Sequence, residues 1–191
     1  EIEKHKHTQQ KLKKAEELNK SIIESSIDMI VAFDPKGNLL QYNHAFAVEF
    51  GFDPEEKNKI NVTETMANKD QIDVVFKEVG SRNYYSGEVE AVRLSGEKFP
   101  MFISVATMRD DSGRVFGAMG VARDITDLKI SEEELKESEA RYRDILDNAT
   151  DIIFVVDSSG NFTYANPAFY LKLGFSPNTI SAVRINNIIE D

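Results

Sequence analysis

The 191-residue chain has no cysteine, which excludes disulfides and any thiolate acting as metal ligand, redox couple or nucleophile. Histidine is almost as scarce: His5, His7 and His44 are the whole supply. His5 and His7 stand two apart on a polar helix, a spacing that does not bring both to one face, so no metal site is expected. No apolar run approaches the roughly 18–20 residues a bilayer span needs, and nothing resembles a signal peptide at the start. A cytoplasmic fragment without membrane contact is therefore expected, with any anchor left to the rest of a parent protein. Lys and Arg number 23 against 33 Asp and Glu, for a net charge of −10. Nucleic acid calls for a basic patch and is not an expected partner. The glycines are dispersed, mostly at turns, instead of forming a loop that cradles phosphates, and Asp110, Asp111 and Gly113 read as a hairpin turn, not a calcium loop. No enzyme is expected here; catalysis would belong to an output domain outside residues 1–191.

What the chain does have is an internal repeat. Residues 28–54 (DMIVAFDPKGNLLQYNHAFAVEFGFDP) align without a gap on 151–177 (DIIFVVDSSGNFTYANPAFYLKLGFSP), at an offset of 123 and with eleven of 27 positions identical. Upstream, Leu12, Lys13, Glu16 and Ile22 match Leu135, Lys136, Glu139 and Ile145 at the same offset. Solenoid repeats have periods of roughly 20–50 residues, so this longer one means tandem domains. One whole unit is present with the opening of another, and the strands equivalent to 84–124 would fall at 207–247. An isolated hairpin is marginal in water, so residues 151–191 are expected to depend on contact with other surfaces for order.

The elements follow from pattern and punctuation. Residues 3–25 are an amphipathic helix with Leu12, Ala15, Leu18 and Ile22 on one stripe. Strands at 28–33 and 38–42 flank the turn Asp34–Gly37. Asn43 and Asn166 read as helix N-caps, the second followed by a proline at the first helical position; Gly51 and Gly174 read as left-handed C-caps. Pro54 and Pro177 open another short helical turn. A turn at 61–67 and a helix at 70–80, stopped by Gly80, come next. Strands at 84–94, 98–108 and 114–124 then form a meander. Five antiparallel strands with helices inserted on one side make an α+β domain. A helix after residue 124 has a cap candidate in Asp124 or Thr126, and Ser131 with Glu134 fits a capping box where it would kink or restart. Leu128, Leu135, Tyr142 and Ala149 recur every seven residues with Ile145 between, a weak seam for self-association.

Residues 87–126 (GEVEAVRLSGEKFPMFISVATMRDDSGRVFGAMGVARDIT) resemble the C-terminal half of a PAS sensory domain with its PAC region, and the two repeated segments resemble its N-terminal half. The motifs stand in the family's order: D-x-I-x-x-x-D with a G-N turn, N-x-A-F-x-x-x-x-G-F-x-P, G-E-V, S-G-E-x-F-P, D-x-x-G-R and R-D-I-T. The resemblance implies a PAS fold: a five-stranded antiparallel sheet with short helices on one face, preceded and followed by amphipathic linker helices. It divides the chain into a helix at 1–25, a complete domain at 26–126, a linker helix at 127–148 and the first part of a second domain at 149–191. It also implies a sensor in a signal-transduction protein such as a histidine kinase of a two-component system.

On this resemblance the cavity is lined by Phe46, Phe50, Met66, Phe76, Met101, Ile103 and Met119. Such side chains serve equally as ligand pocket or as plain core, and both readings stay open; the alternative function is a ligand-free dimerisation and spacer module. A flavin adduct is disfavoured because it requires a cysteine, and haem because helix 70–80 offers no histidine. No cofactor is assigned. Asp124 and Thr126 are the candidate signal-relay residues, and a homodimer through the linker helices is the expected assembly.

Overall fold

The computed structural model describes residues 2–53, 60–176 and 184–185. The chain divides into two units, Glu1–Leu128 and Lys129–Asp191. The first unit opens with helix α1 (Ile2–Glu24), whose Leu12, Leu18 and Ile22 are exposed. Strand β1 (Met29–Phe33) then alternates, burying Met29, Val31 and Phe33 while Ile30 and Ala32 face the other side, the period-2 pattern of a half-buried strand. The turn to β2 (Leu39–Tyr42) is held by the Asp34 carboxylate, which accepts from the Lys36 and Asn38 N–H groups at 2.8 and 2.9 Å. Gly37 sits there at φ 85°, where a side chain would be strained.

Helix α2 (His44–Phe50) starts at Asn43, whose side chain accepts from the Phe46 N–H, and ends at Gly51 in the left-handed region, as the sequence predicts. The helical turns read after Pro54 and Pro177 lie outside the described residues. A 3-10 turn (Val62–Thr65) leads to α3 (Lys69–Arg82). Gly80 does not stop this helix; Asn83, at φ 64°, does. Its left-handed conformation is one asparagine tolerates, and its own groups hold β4: its carbonyl accepts from the Thr107 N–H and its Oδ1 from the Arg109 guanidinium.

Strands β3 (Tyr84–Val92), β4 (Lys98–Arg109) and β5 (Val115–Asp124) complete the sheet. Its order is β2-β1-β5-β4-β3 and each neighbouring pair is antiparallel. The last strand in sequence thus lies between the first and the fourth, and Gly120 stands opposite both Val31 and Val105. The core lies between one sheet face and α2, α3 and the 3-10 turn, with Phe46, Phe50, Val75, Val79, Val89 and Phe99 among its buried members. Helix α4 (Thr126–Asn148) is continuous, so Ser131 and Glu134 mark no restart. It buries no residue.

In the second unit the hairpin β6 (Phe154–Val156) and β7 (Phe162–Ala165) precedes α5 (Pro167–Leu173). Asn166 caps α5, Pro167 opens it, and Gly174 closes it in the left-handed region. Phe154, Phe162, Phe169 and Phe175 form a ring cluster. Among the described residues β6 pairs only with β7, and Phe154 and Val155 are exposed.

Candidate sensory site

Alternation in β5 makes the cavity. Its inward positions are Ala118, Gly120 and Ala122, each too small to reach the helices. A Cβ at Gly120 would stand 3.3 Å from Val31 Cγ1 and 3.6 Å from Val105 Cγ2. The space left over is a cavity of about 50 Å³, walled by Val31, Phe33, Phe46, Val62, Thr65, Met66, Val75, Phe76, Met101, Ile103, Val105 and residues 120–122. Its one hydroxyl, Thr65 Oγ1, already donates to the Val62 carbonyl at 2.7 Å. An apolar enclosure of this kind favours a small uncharged occupant or none, since a polar one would find few partners. Ligand pockets usually measure roughly 300–1,000 Å³, so a flavin or haem would require the wall to open. The wall also offers neither a thiol nor an imidazole: His44 is exposed in the first turn of α2. Among the described residues no cluster suits a metal ion.

Five of the seven residues read as pocket lining stand together there: Phe46, Met66, Phe76, Met101 and Ile103. Phe50 does not line the cavity. It is 1% exposed and packs beside Phe46, Phe52 and Phe99. Met119 is a correction. It pairs across from Ala32 and Ala106 on the opposite face of the sheet and is 39% exposed. The inward phase of β5 is set by Gly120, and a step of one residue moves a side chain to the other face. The alternation Ala-Met-Gly-Val-Ala at 118–122 is the signal that identifies this phase.

At the end of the sheet, Arg93 links three elements. Its guanidinium bonds Glu49 of α2, with Nε to Oε1 at 3.1 Å, and reaches Asp124 Oδ2 at 2.8 Å. It also pairs with Glu97 at 3.3 Å and lies 3.9 Å above the Phe99 ring. Burial draws the guanidinium pKa down, but Glu49, Glu97 and Asp124 reverse this and leave it raised. The other oxygen of Asp124 accepts from the Thr126 N–H at 2.7 Å, at the first residue of α4. Burial pushes the Asp124 carboxyl up; hydrogen bonding from Thr126 and attraction to Arg93 outweigh it and hold the group below its ordinary value. The two relay candidates therefore differ. Asp124 carries the charged contacts, whereas Thr126 gives it the backbone N–H; the Thr126 hydroxyl, buried without a hydrogen bond of full geometry, acts on the Asp124 carboxyl only by helping to lower its pKa. Sequence reasoning missed Arg93 and Glu49, which lie 44 residues apart in segments without a shared motif.

A sheet of this order with helices over one face and a small apolar cavity between them defines an α+β domain. The PAS domain profile matches residues 27–127, and a second PAS domain profile matches 140–191. The chain belongs to the PAS domain family. It is 28% identical over 153 residues to sporulation kinase E of Bacillus subtilis (strain 168), covering 79% of this chain and 20% of that protein. To the methanogenesis regulatory histidine kinase FilI of Methanothrix harundinacea (strain 6Ac) it is 30% identical over 132 residues, covering 66% of this chain and 14% of that kinase. The crystal structure of a PAS domain from Colwellia psychrerythraea superposes with a TM-score of 0.54 at 19% identity, covering 58% of this chain and 97% of that one. The chain thus spans a fifth or less of the length of these two kinases. Among the described residues no helix is long and apolar enough to cross a membrane.

Proposed function

We propose that the first unit senses a small molecule or a partner's state in its core and relays it through α4 to an output domain outside residues 1–191, a histidine kinase. The observation that carries this reading is the Glu49–Arg93–Asp124 chain. Glu49 belongs to α2, whose Phe46 walls the cavity, and Asp124 holds the first N–H of α4. A change in the cavity that shifts α2 therefore acts on the charge network at the root of the outgoing helix. In the full parent protein, Asp124→Ala is expected to uncouple output from signal while the domain stays folded. Regulation unchanged in that variant would reduce the junction to a cap.

Assembly belongs to the same proposal. Leu12, Leu18 and Ile22 of α1 and Leu128, Leu135, Tyr142 and Ile145 of α4 are exposed in the single chain, and self-association would cover them in a parallel homodimer. Sedimentation at micromolar concentration is expected to show a dimer that weakens when Leu12 and Leu135 become Asp; a monomer throughout would overturn it. The small size of the cavity favours a second reading, a ligand-free dimerisation and spacer module. Native mass spectrometry separates the two, because a sensor that holds its ligand shows added mass and a spacer shows none.

A further inference from the structure

Capping accounts for one of the hydrogen bonds made by the Asn43 side chain, and it makes four. Oδ1 accepts from the Phe46 N–H at 3.1 Å and the Ile30 N–H at 2.9 Å. Nδ2 donates to the Ile23 carbonyl at 3.2 Å and the Asp28 carbonyl at 2.9 Å. Asn166 repeats the set and adds one contact: Oδ1 accepts from Phe169 and Ile153, and Nδ2 donates to Leu146 at 3.2 Å, to Asp151 at 2.9 Å and, more weakly, to the Ala149 carbonyl at 3.4 Å. The offset of 123 carries each partner of Asn43 onto its counterpart. The two amides are 1% and 0% exposed.

Capping alone does not require asparagine, since Ser, Thr or Asp serves an N-terminus about as well. Only an amide presents an accepting oxygen and two donors together. The donors grip the incoming helix. Ile23 is in the last turn of α1 and Leu146 in the last turn of α4, where carbonyls lack i+4 partners; each otherwise accepts one long bond from the N–H three residues on, Ser26 at 3.3 Å and Ala149 at 3.4 Å. One side chain thus ties the end of the entering helix to the first strand of the unit and to the helix that follows. In the first unit that helix carries Phe46, a wall of the cavity.

We propose that Asn43 and Asn166 are input couplers, which carry a displacement of the incoming helix's last turn into the strand and helix of their own unit. Asp124 marks where a signal leaves the first unit, and Asn166 marks where α4 delivers it to the second. The first unit has an added tie, because Glu24 Oε2 accepts from the His44 N–H at 2.9 Å. At the matching position Pro167 has no N–H to offer. The purpose of the coupling rests on the sensor reading, but its test needs neither ligand nor output, so one can fail without the other.

The test is hydrogen exchange followed by NMR on the 191-residue chain. In Lys20→Gly/Ser21→Gly, two exposed sites one turn before Ile23, the end of α1 loosens without a change in the core. Exchange is then expected to rise at least fivefold at the Asn43 side-chain amide and at the Ile30 and Phe46 N–H groups, and to stay constant at Ile103 and Val105 in β4. Asn43→Asp keeps the acceptor and deletes the donors. In that background, with the second tie removed by Glu24→Ala, the glycine pair is expected to leave Ile30 and Phe46 unchanged. Faster exchange confined to α1 in the wild-type background overturns the proposal, as does an equal rise across β4. The glycine pair decides the matter even if Asn43→Asp does not fold.

Discussion

Val31 and Phe33 in the first unit correspond to Phe154 and Val156 in the second. The first two are buried at 6% and 7% exposure, whereas Phe154 is 40% exposed. The hairpins around them are otherwise alike: Asp34 and Asp157 hold the same turn, Asn43 and Asn166 the same helix start, and Gly51 and Gly174 the same left-handed cap. In the first unit β1 also pairs with β5, and among the described residues β6 has only β7. Short-range chemistry therefore builds the hairpin, the capped helix and the aromatic cluster wherever the sequence repeats. Burial of the strand is a separate matter, decided by a strand some ninety residues further on.

The largest test of that difference compares Phe50 with its counterpart Leu173. Phe50→Ala is expected to cost the first unit about 3–5 kcal/mol, the usual loss for a buried phenylalanine. Leu173 is 40% exposed, and Leu173→Ala is expected to fall near the ~0.5 kcal/mol typical of surface changes. Urea unfolding of each variant checks both values. Next comes Gly117→Ala, whose Cβ would lie 2.4 Å from the Phe33 carbonyl oxygen. Backbone gives way poorly, so a loss of about 1–3 kcal/mol is expected, with the β1–β5 amides losing most protection in hydrogen exchange.

A smaller effect separates the relay candidates. Asp124→Ala is expected to cost about 0.5–2 kcal/mol as a lost helix cap, while Thr126→Ala stays within ~0.5 kcal/mol; thermal unfolding ranks them. The smallest concerns the two turns. The Asn38 side chain holds Asp34 below its ordinary pKa, and Asn161 does the same for Asp157. Because each folded value lies below the unfolded one, any stability the turns gain is present above about pH 4 and is lost as the pH falls through the folded value. Carboxyl titration by NMR is expected to show both groups below a free aspartate. Asn38→Ala and Asn161→Ala should each move their own aspartate upward and leave the other in place.

Much of this was legible in the sequence because it is local. Turn residues, caps and period-2 alternation placed the strands, the meander and the two asparagines, and the ordered motifs pointed to the PAS family. The failures have long-range causes. Gly80 reads as a helix stop, but contacts from Asn83 to β4 decide where α3 ends. Met119 reads as lining, but the phase of β5 is fixed by Gly120 fitting between Val31 and Val105. Arg93 resembles any strand-end charge until the fold brings Glu49 and Asp124 to it. The four-bond role of Asn43 is hidden behind a capping role that already explains an asparagine there.

On the sensor reading, the state of the first unit's core reaches α4 through Arg93 and Asp124. Xenon enters small apolar cavities without forming polar contacts, so NMR of the 191-residue chain under xenon pressure tests the link directly. In the wild-type chain, shifts are expected at the cavity wall, at Val31 and Val105, and also at Thr126–Lys129 in the first turn of α4. In Arg93→Ala the wall shifts should remain and those in α4 should vanish. Wall shifts without any response in α4 of the wild-type chain, or the same α4 response in Arg93→Ala, would rule out this route.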